Sequence, residues 1–152
     1  GKSASSLSMN LVYDVAHNVA KFETHHQKNF LIHRKGATRS FPNQPVIIGG
    51  SMETGSFLLL GKYEAMEKSF GSTAHGSGRT MSRTKAKKLI RGDRLIHQLK
   101  EKGIYIKSAS FSGLAEEAGF AYKNIEKVVK SIELAGLSKI IAYFKPIGNI
   151  KG

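Results

Sequence analysis

The chain carries Phe70-Gly71-Ser72-Thr73-Ala74-His75-Gly76-Ser77-Gly78-Arg79-Thr80-Met81-Ser82-Arg83 near its centre. The glycines at 71, 76 and 78 would let backbone amides approach a bound phosphate without an intervening Cβ. His75 lies among these small residues, and a neutral imidazole beside such an amide pocket can attack phosphorus. We therefore interpret His75 as a candidate nucleophile. From the spacing alone, a glycine-rich turn that caps a basic helix explains the stretch about equally well.

Cations follow this stretch at regular intervals. A helix is predicted to begin at about Gly78, and Arg79, Arg83 and Lys87 recur in it every four residues, which places them on one helical face. Such a face could neutralise charge on phosphoryl oxygens. We predict that Arg79 and Arg83 contact phosphates. The other cations of the same region, Lys85, Lys87, Lys88, Arg91 and Arg94, are expected to give only general attraction to nucleic acid.

Composition limits the partners that the protein can have. The chain has 152 residues, with 24 Lys and Arg against 11 Asp and Glu, and a net charge of +13. This balance favours a polyanion, with nucleic acid or a nucleotide as the first expectation. An acidic membrane is the competing partner, but the sequence has no apolar run of about 18 residues, so no membrane partner is expected. Cysteine is absent, which excludes disulfides and thiolate zinc sites and fits a cytoplasmic protein.

The predicted elements mix short strands with unevenly spaced helices, which indicates an α+β fold. Residues 1–9 are expected to be a flexible lead-in from a processed terminus or a split gene, and residues 10–152 to form one domain. Apolar runs predict strands over residues 11–16, 30–33, 46–48, 56–60, 104–106 and 140–144. Helices are predicted over residues 65–70, 78–90, 93–102 and 125–135, with Asp93 as the cap of the third. A short helix followed by a turn is predicted over residues 18–29, and a helical turn over residues 114–119.

Three histidines before the central stretch, His17, His25 and His26, are further candidates for a metal or ligand site. His17 follows the first predicted strand, and strand ends are places where functional sites collect. A lone histidine is more often structural than a metal ligand, so the residue alone does not decide its role. His25 and His26 are neighbours on a predicted helix, and their side chains would point about 100° apart. They are therefore interpreted as surface residues and not as a chelating pair.

Several separated segments are similar to one protein family. The chain resembles the RtcB-type RNA ligases in the central stretch and in five further segments, Val12–Asn18, His33–Arg39, Gly49–Met52, Gly113–Asn124 and Lys145–Gly152. The segments occur in the order found in the family. The resemblance covers essentially the whole chain, but only the carboxy-terminal part of such a ligase.

The resemblance implies a function and a set of site residues. The family uses GTP and manganese to join RNA 3′-phosphate or 2′,3′-cyclic phosphate ends to 5′-hydroxyl ends through a histidine–GMP intermediate, so the implied substrates are tRNA halves or broken RNA ends. It makes His75 the guanylylated residue and His17 a manganese ligand. The nucleotide-binding residues that it implies are His17, Asn18, Gly49, Gly50, Ser51, Met52, Ser56, His75, Gly76, Ser77, Gly78, Tyr122 and Lys151. Most of the family's metal ligands lie in an amino-terminal half that this chain lacks, so that half is an expected partner and the chain alone is expected to be inactive.

Two other functions fit the sequence less well. A non-catalytic RNA- or nucleotide-binding module, or a subunit that completes a partner's site, would need the cations but not a single histidine in a glycine loop. A purely structural interaction domain leaves the clustering of glycine, serine, histidine and arginine unexplained.

Overall fold

The computed structural model describes residues 1–151, which form nine strands and five helices and confirm the predicted α+β class. Gly152, the last residue of the Lys145–Gly152 segment, lies outside the described residues. The strands are β1 (Asn18–His25), β2 (Lys28–Lys35), β3 (Ala37–Arg39), β4 (Pro45–Gly49), β5 (Ser56–Gly61), β6 (Ser72–Ala74), β7 (Tyr105–Ser108), β8 (Ser138–Phe144) and β9 (Gly148–Lys151). The helices are α1 (Glu64–Ser69), α2 (Arg83–Leu89), α3 (Gly92–Glu101), α4 (Phe111–Glu116) and α5 (Ile125–Leu134).

The first hydrophobic core lies between a three-stranded sheet and α5. Strands β4, β5 and β8 are antiparallel, in that spatial order. Alternate residues of β4 and β5 point to one face, where Val46, Ile48 and Leu59 are fully buried. They pack against Ile125 and Val129 of α5. This core fixes the end of β4, which leads directly into the glycine turn at residues 49–55.

The second core joins α3, α4 and β7. Leu95, Leu99 and Leu114 are its fully buried centre, and Met52 from the glycine turn packs into the same cluster. Strand β7 pairs in parallel with β9, with Tyr105 opposite Gly148. Lys151 is thereby carried on a strand and not on a loose terminus. The sequence did not predict β9, because its partner lies about forty residues away along the chain.

The amino-terminal region differs from the sequence prediction. The predicted strand over residues 11–16 is wrong, since the chain has no regular structure there and Leu11 and Val12 are exposed. The predicted helix over residues 18–29 is also wrong, because this segment forms β1, a turn and the start of β2, with Asn18 paired to Lys35. The turn residues His26 and Gln27 both have positive φ, 50° and 63°, as a two-residue hairpin turn requires.

His25 is buried, contrary to its interpretation as a surface residue. Its Nε2 lies 3.1 Å from Glu23 Oε2, and its ring packs edge-on against Phe70. The hairpin register turns this side chain inward, whereas a helix would have left it on the surface. His26 is exposed, as predicted.

Two helix starts also differ from prediction. Helix α2 begins at Arg83, where the Ser82 hydroxyl accepts a hydrogen bond from the Lys85 amide (3.2 Å), so Arg79 precedes the helix. Helix α3 begins at Gly92 with Arg91 in the capping position, and Asp93 lies inside its first turn. The strands predicted over residues 30–33, 46–48, 56–60, 104–106 and 140–144 are confirmed, as are the helices over 65–70 and 125–135. The segment predicted as helical over 114–119 is divided between α4 and a 3-10 turn at Gly119–Ala121.

Residues 1–9 contain one short 3-10 turn, Ser5–Leu7, whose residues are exposed. None of the helices within residues 1–151 combines the length and the apolar character that a membrane crossing needs.

Candidate active site

The loop that carries His75 is fixed by the end of strand β4. His75 directly follows β6, which pairs antiparallel with β3. The Gly49 amide donates to the His75 carbonyl (3.1 Å), and the Ser77 amide donates to the Gly49 carbonyl (2.8 Å). A Cβ on Gly76 would lie 3.1 Å from the Gly49 carbonyl oxygen. The close approach of the two backbones therefore favours glycine at position 76 and places the histidine loop against the glycine turn.

The glycine turn after β4 is closed by its own backbone. The Gly50 amide donates to the Gly55 carbonyl (2.8 Å), and the Ser51 amide donates to Thr54 Oγ1 (2.8 Å). A Cβ on Gly50 would lie only 2.5 Å from the Gly55 carbonyl oxygen, so this position cannot take a side chain without moving the turn. Only Gly49 and Gly50 of this turn line a cavity together with His75, so the turn contributes backbone without side chains there.

His17 stacks on His75. The two imidazole rings are 4.7 Å apart between centroids and are inclined by 3°. Partial burial of its ring, and then the charges of His17 and Lys35, lower the pKa of His75 below its usual range. The neutral form of the imidazole, which is the nucleophilic one, is therefore favoured. Both histidines are exposed at the surface, where a ligand could reach them.

Two adjacent cavities open beside His75 and share Gly50 and Tyr122. The larger, of about 390 Å³, is lined by Gly49, Gly50, His75, Gly76, Ser77, Gly78, Arg79, Arg83 and Tyr122. The smaller, of about 180 Å³, is lined by Gly50, Ser51, Met52, Ser56, Glu117, Tyr122, Asn149 and Lys151. The structure thus brings together all the predicted site residues except two. His17 contacts the site by stacking, and Asn18, exposed at the start of β1, lines neither cavity.

The larger cavity has unused hydrogen-bond donors. Within residues 1–151, the amides of Gly76 and Gly78 donate no hydrogen bond. The Ser77 side chain is buried, and its hydroxyl has no partner among the described residues. Buried polar groups are normally paired, and a cluster of free donors in a glycine-rich loop suits an anion.

The cations of the site are held by two carboxylates that the sequence interpretation left without a role. Arg79 Nη1 lies 3.4 Å from Glu117 Oε1, and its Nη2 donates to the Glu116 carbonyl (2.6 Å). Arg83 Nε lies 3.4 Å from the same Glu117 oxygen. Lys87 Nζ lies 2.7 Å from Glu116 Oε1. The predicted cationic face exists only from Arg83 onward, and it faces acids of α4 and of the residue that follows it.

Tyr122 and Glu117 join the two cavities. The Tyr122 hydroxyl donates to Glu117 Oε2, and the Arg79 guanidinium lies over the Tyr122 ring, 4.8 Å from its centroid. Burial raises the pKa of Glu117, but the Tyr122 hydrogen bond and the charges of Lys151 and Arg79 outweigh it and lower the pKa overall. Glu117 is therefore a carboxylate at neutral pH. The sequence signal for it was the acidic pair 116–117 in a chain with few acids.

Asn149 is a second lining residue that sequence reasoning missed. Its amide donates to the Met52 carbonyl (3.2 Å) and so connects β9 to the glycine turn.

No cluster of three or more His, Cys, Asp or Glu residues with the geometry of a metal site occurs within residues 1–151. His17 alone does not make a manganese site in this part of the chain.

Comparison with known proteins decides the family. The family model described as "tRNA-splicing ligase RtcB" matches residues 1–152. The chain belongs to this family. The resemblance carried by the glycine, histidine and arginine segments is thereby confirmed.

The RtcB relatives are longer than this chain. The chain is 47% identical to the tRNA-splicing ligase RtcB of Nanoarchaeum equitans, over 99% of this chain and 35% of the relative. It is 46% identical to the tRNA-splicing ligase RtcB of Pyrococcus horikoshii, over 96% of this chain and 19% of the relative. It is 44% identical to the RNA-splicing ligase RtcB homolog 1 of Entamoeba histolytica, over 99% of this chain and 32% of the relative. The chain therefore spans about a third or less of the length of these RtcB proteins.

Proposed function

We propose that this chain is the nucleotide-accepting part of an RNA ligase that joins RNA 3′-phosphate or 2′,3′-cyclic phosphate ends to 5′-hydroxyl ends. The observation that carries the proposal is the position of His75. A histidine with a lowered pKa faces a cavity with free amides and two arginines, inside a chain of the RtcB family. The relatives named as tRNA-splicing ligases support RNA as the substrate, either tRNA halves or broken RNA ends.

His75 would act as the nucleophile toward GTP. Its free ring nitrogen forms a bond to the α-phosphorus while the bond to the β-phosphate breaks, which leaves a histidine–GMP and releases pyrophosphate. The amides of Gly76 and Gly78 would donate hydrogen bonds to the phosphoryl oxygens. Arg79 and Arg83 would contact phosphates once the phosphates compete with Glu117 for them. Guanylate would then pass to the RNA 3′-phosphate, and the 5′-hydroxyl of the second RNA would displace GMP.

The two cavities support a division of the nucleotide between them. The larger one has the glycine amides and suits the phosphates. The smaller one is lined by the carboxylate of Glu117, the amide of Asn149, the ammonium of Lys151 and the hydroxyls of Ser51 and Ser56. These groups can donate and accept hydrogen bonds at the edge of a base. Tyr122 lies on the boundary and would contact both parts of GTP.

Manganese does not fit the described residues alone. His17 is the one predicted ligand, its ring is stacked on His75, and no group of three or more His, Cys, Asp or Glu residues that could hold a metal ion occurs within residues 1–151. We propose that His17 supplies a single ligand and that the remaining ligands come from ligase residues outside this chain. The chemistry above is therefore assigned only to the chain's own side chains.

A cytoplasmic location, which the cysteine-free composition supports, is part of the same proposal.

Labelling with radioactive GTP tests the nucleophile. This chain is combined with the segment of an RtcB relative that it does not match, in the presence of manganese, and is analysed on denaturing gels. We expect an acid-labile label on the wild type and on His97→Ala, whose histidine is exposed on α3. His75→Ala should carry no label and still bind GTP reversibly, because the amides remain. An acid-labile label on His75→Ala would overturn the assignment.

A non-catalytic RNA- or nucleotide-binding module is the second candidate. It is favoured by the pairing of Arg79, Arg83 and Lys87 with acids and by the lack of a metal cluster within residues 1–151. The labelling experiment separates the two candidates, because a binding module would take up GTP without forming an adduct on any variant.

A further inference from the structure

A third cavity lies beside the last turn of α2, one turn along the helix from the residue that lines the cavity at His75. It has a volume of about 360 Å³ and lies between α2, the start of α3 and α4. Its lining residues are Lys87, Ile90, Arg91, Gly92, Asp93, Phe111, Ser112 and Ala115. Of these residues, only Lys87 and Arg91 were given a part in binding, and that part was general attraction to RNA. We call this cavity the α2–α4 groove.

Phe111 is the aromatic residue of the groove, and 62% of its surface is exposed. The backbone holds it there. The Ser110 hydroxyl caps α4 by accepting from the Gly113 amide (3.0 Å), and Phe111 is the first residue of that helix. A Cβ on Gly92 would lie 2.1 Å from the Phe111 carbonyl oxygen, so the starts of α3 and α4 are in direct backbone contact. The ring is therefore placed at the surface by fixed elements.

Two cations, Lys87 and Arg91, line the groove together with Phe111. Lys87 is paired with Glu116 at 2.7 Å, and Arg91 with Asp93 at 3.1 Å, and the Arg91 side chain is 85% exposed. Lys88 and Arg94, which adjoin lining residues along the chain but do not line the groove, make no ion pair within residues 1–151. An exposed aromatic ring among cations is the arrangement that binds single-stranded nucleic acid, because the base stacks and the phosphates meet positive charge. An acidic peptide would use the cations but not the flat ring.

Helix α2 connects the groove to the candidate active site. Arg83, at its first turn, lines the cavity beside His75, and Lys87, one turn later, lines the groove. The helix rises about 9 Å from Arg83 to Leu89, at 1.5 Å per residue. Stacked nucleotides are about 3.4 Å apart along one strand, so this length corresponds to two or three nucleotides.

We propose that the α2–α4 groove binds the RNA strand whose 3′-phosphate end lies at His75, and that Phe111 stacks on a base about three nucleotides from that end. The proposal rests on the proposed function for the position of the RNA end. The ligand is single-stranded RNA, read by stacking and backbone charge and not by base edges. The groove would thereby favour a substrate whose end is unpaired over several nucleotides.

Binding of single-stranded RNA to the full chain tests the groove. Fluorescence anisotropy is measured with oligonucleotides of roughly ten residues that end in a 3′-phosphate. One is intact, one lacks the base at the third nucleotide from the 3′ end, and one lacks the base at the 5′ end. The protein variants are Phe111→Leu, Phe111→Tyr and, as a matched control on an exposed aromatic elsewhere, Tyr63→Leu.

The expected result is a coupling between Phe111 and one base. Phe111→Leu should weaken binding of the intact RNA about tenfold, the loss expected for one base stacked on an aromatic ring. It should have no further effect on RNA that already lacks the third base. Phe111→Tyr and Tyr63→Leu should bind like the wild type.

Three results would overturn the proposal. One is a Phe111→Leu effect on affinity that is equal for the intact RNA and for both RNAs that lack a base. Another is an equal loss of wild-type affinity whether the third base or the 5′ base is removed. The third is displacement of RNA by polyglutamate as effectively as by unlabelled RNA at equal charge, which would assign the groove to acidic peptides. The assay requires no adduct, so failure of His75 labelling would remove the proposed function and leave the base-specific coupling measurable.

Discussion

At the level of single residues, Glu117 is the acceptor that three site residues share. Arg79 and Arg83 both approach its Oε1 at 3.4 Å, and the Tyr122 hydroxyl donates to its Oε2. A phosphate that enters the cavity must compete with this carboxylate for the two guanidinium groups. Glu117 therefore lowers the affinity of the site for anions and, in return, holds the arginines in place before a ligand arrives.

Replacing Glu117 with Gln should raise the affinity for phosphate. The amide keeps the shape of the side chain but removes the charge that occupies Arg79 and Arg83. We expect binding of inorganic triphosphate to become up to about fivefold tighter, since a partly exposed ion pair contributes at most about 1 kcal/mol. Isothermal titration at low salt measures the change. Glu126→Gln makes the same charge change on α5 and should have little effect. Weaker binding by Glu117→Gln would mean that holding the arginines outweighs the competition.

At the level of elements, the β1–β2 hairpin is attached to the histidine strand through Arg34, which forms a buried ion pair with Glu23 inside the hairpin. Arg34 Nη1 and Nη2 donate to the two Glu23 carboxylate oxygens at 2.7 and 2.8 Å. The same guanidinium donates to Ser72 Oγ (2.9 Å) and to the Phe70 carbonyl (3.0 Å). Because Ser72 begins β6, which leads to His75, the hairpin fixes the base of the candidate active site.

Protonation of Glu23 should weaken this attachment. The Arg34 hydrogen bond lowers the pKa of Glu23 below its usual 4.5, although burial opposes the shift. The unfolded chain therefore binds more protons than the folded one near pH 4.5, and the stabilisation is present above that pH and lost as the pH falls through the folded pKa. We expect Glu23→Gln to lower the free energy of unfolding by about 3 kcal/mol at pH 7, with a difference that shrinks below pH 4.5.

Urea unfolding of the wild type and Glu23→Gln over a pH series measures this dependence. Glu67→Gln, an exposed acid of α1, serves as the control and should follow the wild type at every pH. A constant difference between wild type and Glu23→Gln from pH 7 to pH 3 would show that the pair does not carry the effect.

The elements that the sequence predicted well are those whose apolar runs are buried. Val46, Ile48 and Leu59 are fully buried, and their strands were found from sequence alone. The β1–β2 turn was missed because His26 and Gln27 are not the glycine or asparagine that normally accept positive φ. The run Leu11–Ala16 is apolar and yet no strand forms, because no described strand pairs with it. Hydrophobicity alone does not supply a pairing partner.

The residues of the candidate site also differ in how well the sequence predicted them. Residues with a local signal, the glycines around His75 and the arginines after it, were assigned from the sequence and lie together at one cavity. Glu117 and Asn149 were missed because each acts through a partner distant in the chain, Arg79 for one and Met52 for the other. Contacts of this kind depend on tertiary packing and have no local pattern.

At the level of the whole molecule, the three-stranded sheet has a second apolar face. Its inner face packs on α5, and its outer face carries Ile47, Ile141 and Phe144, which are 44%, 49% and 49% exposed. A groove of about 430 Å³ lies between this face and residues 10–13 of the amino-terminal segment, whose Leu11 and Val12 are themselves exposed. Contiguous apolar surface of this kind marks an interaction site. Since the relatives are about three times as long as this chain or longer, we expect the rest of the ligase to cover the face.

Replacing Ile47 with Lys tests this docking face. Ile47 lies on the edge strand β4 and points away from the core, so the variant should fold. In sedimentation experiments the wild-type chain should associate with rising concentration, and Ile47→Lys should do so less, because a charge on the face opposes its burial. Ile47→Lys should also reduce His75 labelling in the mixture with the remaining ligase segment. Leu134→Lys makes the same kind of change at an exposed leucine on α5, away from the face, and should behave like the wild type.

Full labelling of Ile47→Lys would exclude this face as the docking surface. Labelling of the wild-type chain alone would contradict the wider proposal, because a complete metal site would then have to exist within residues 1–152.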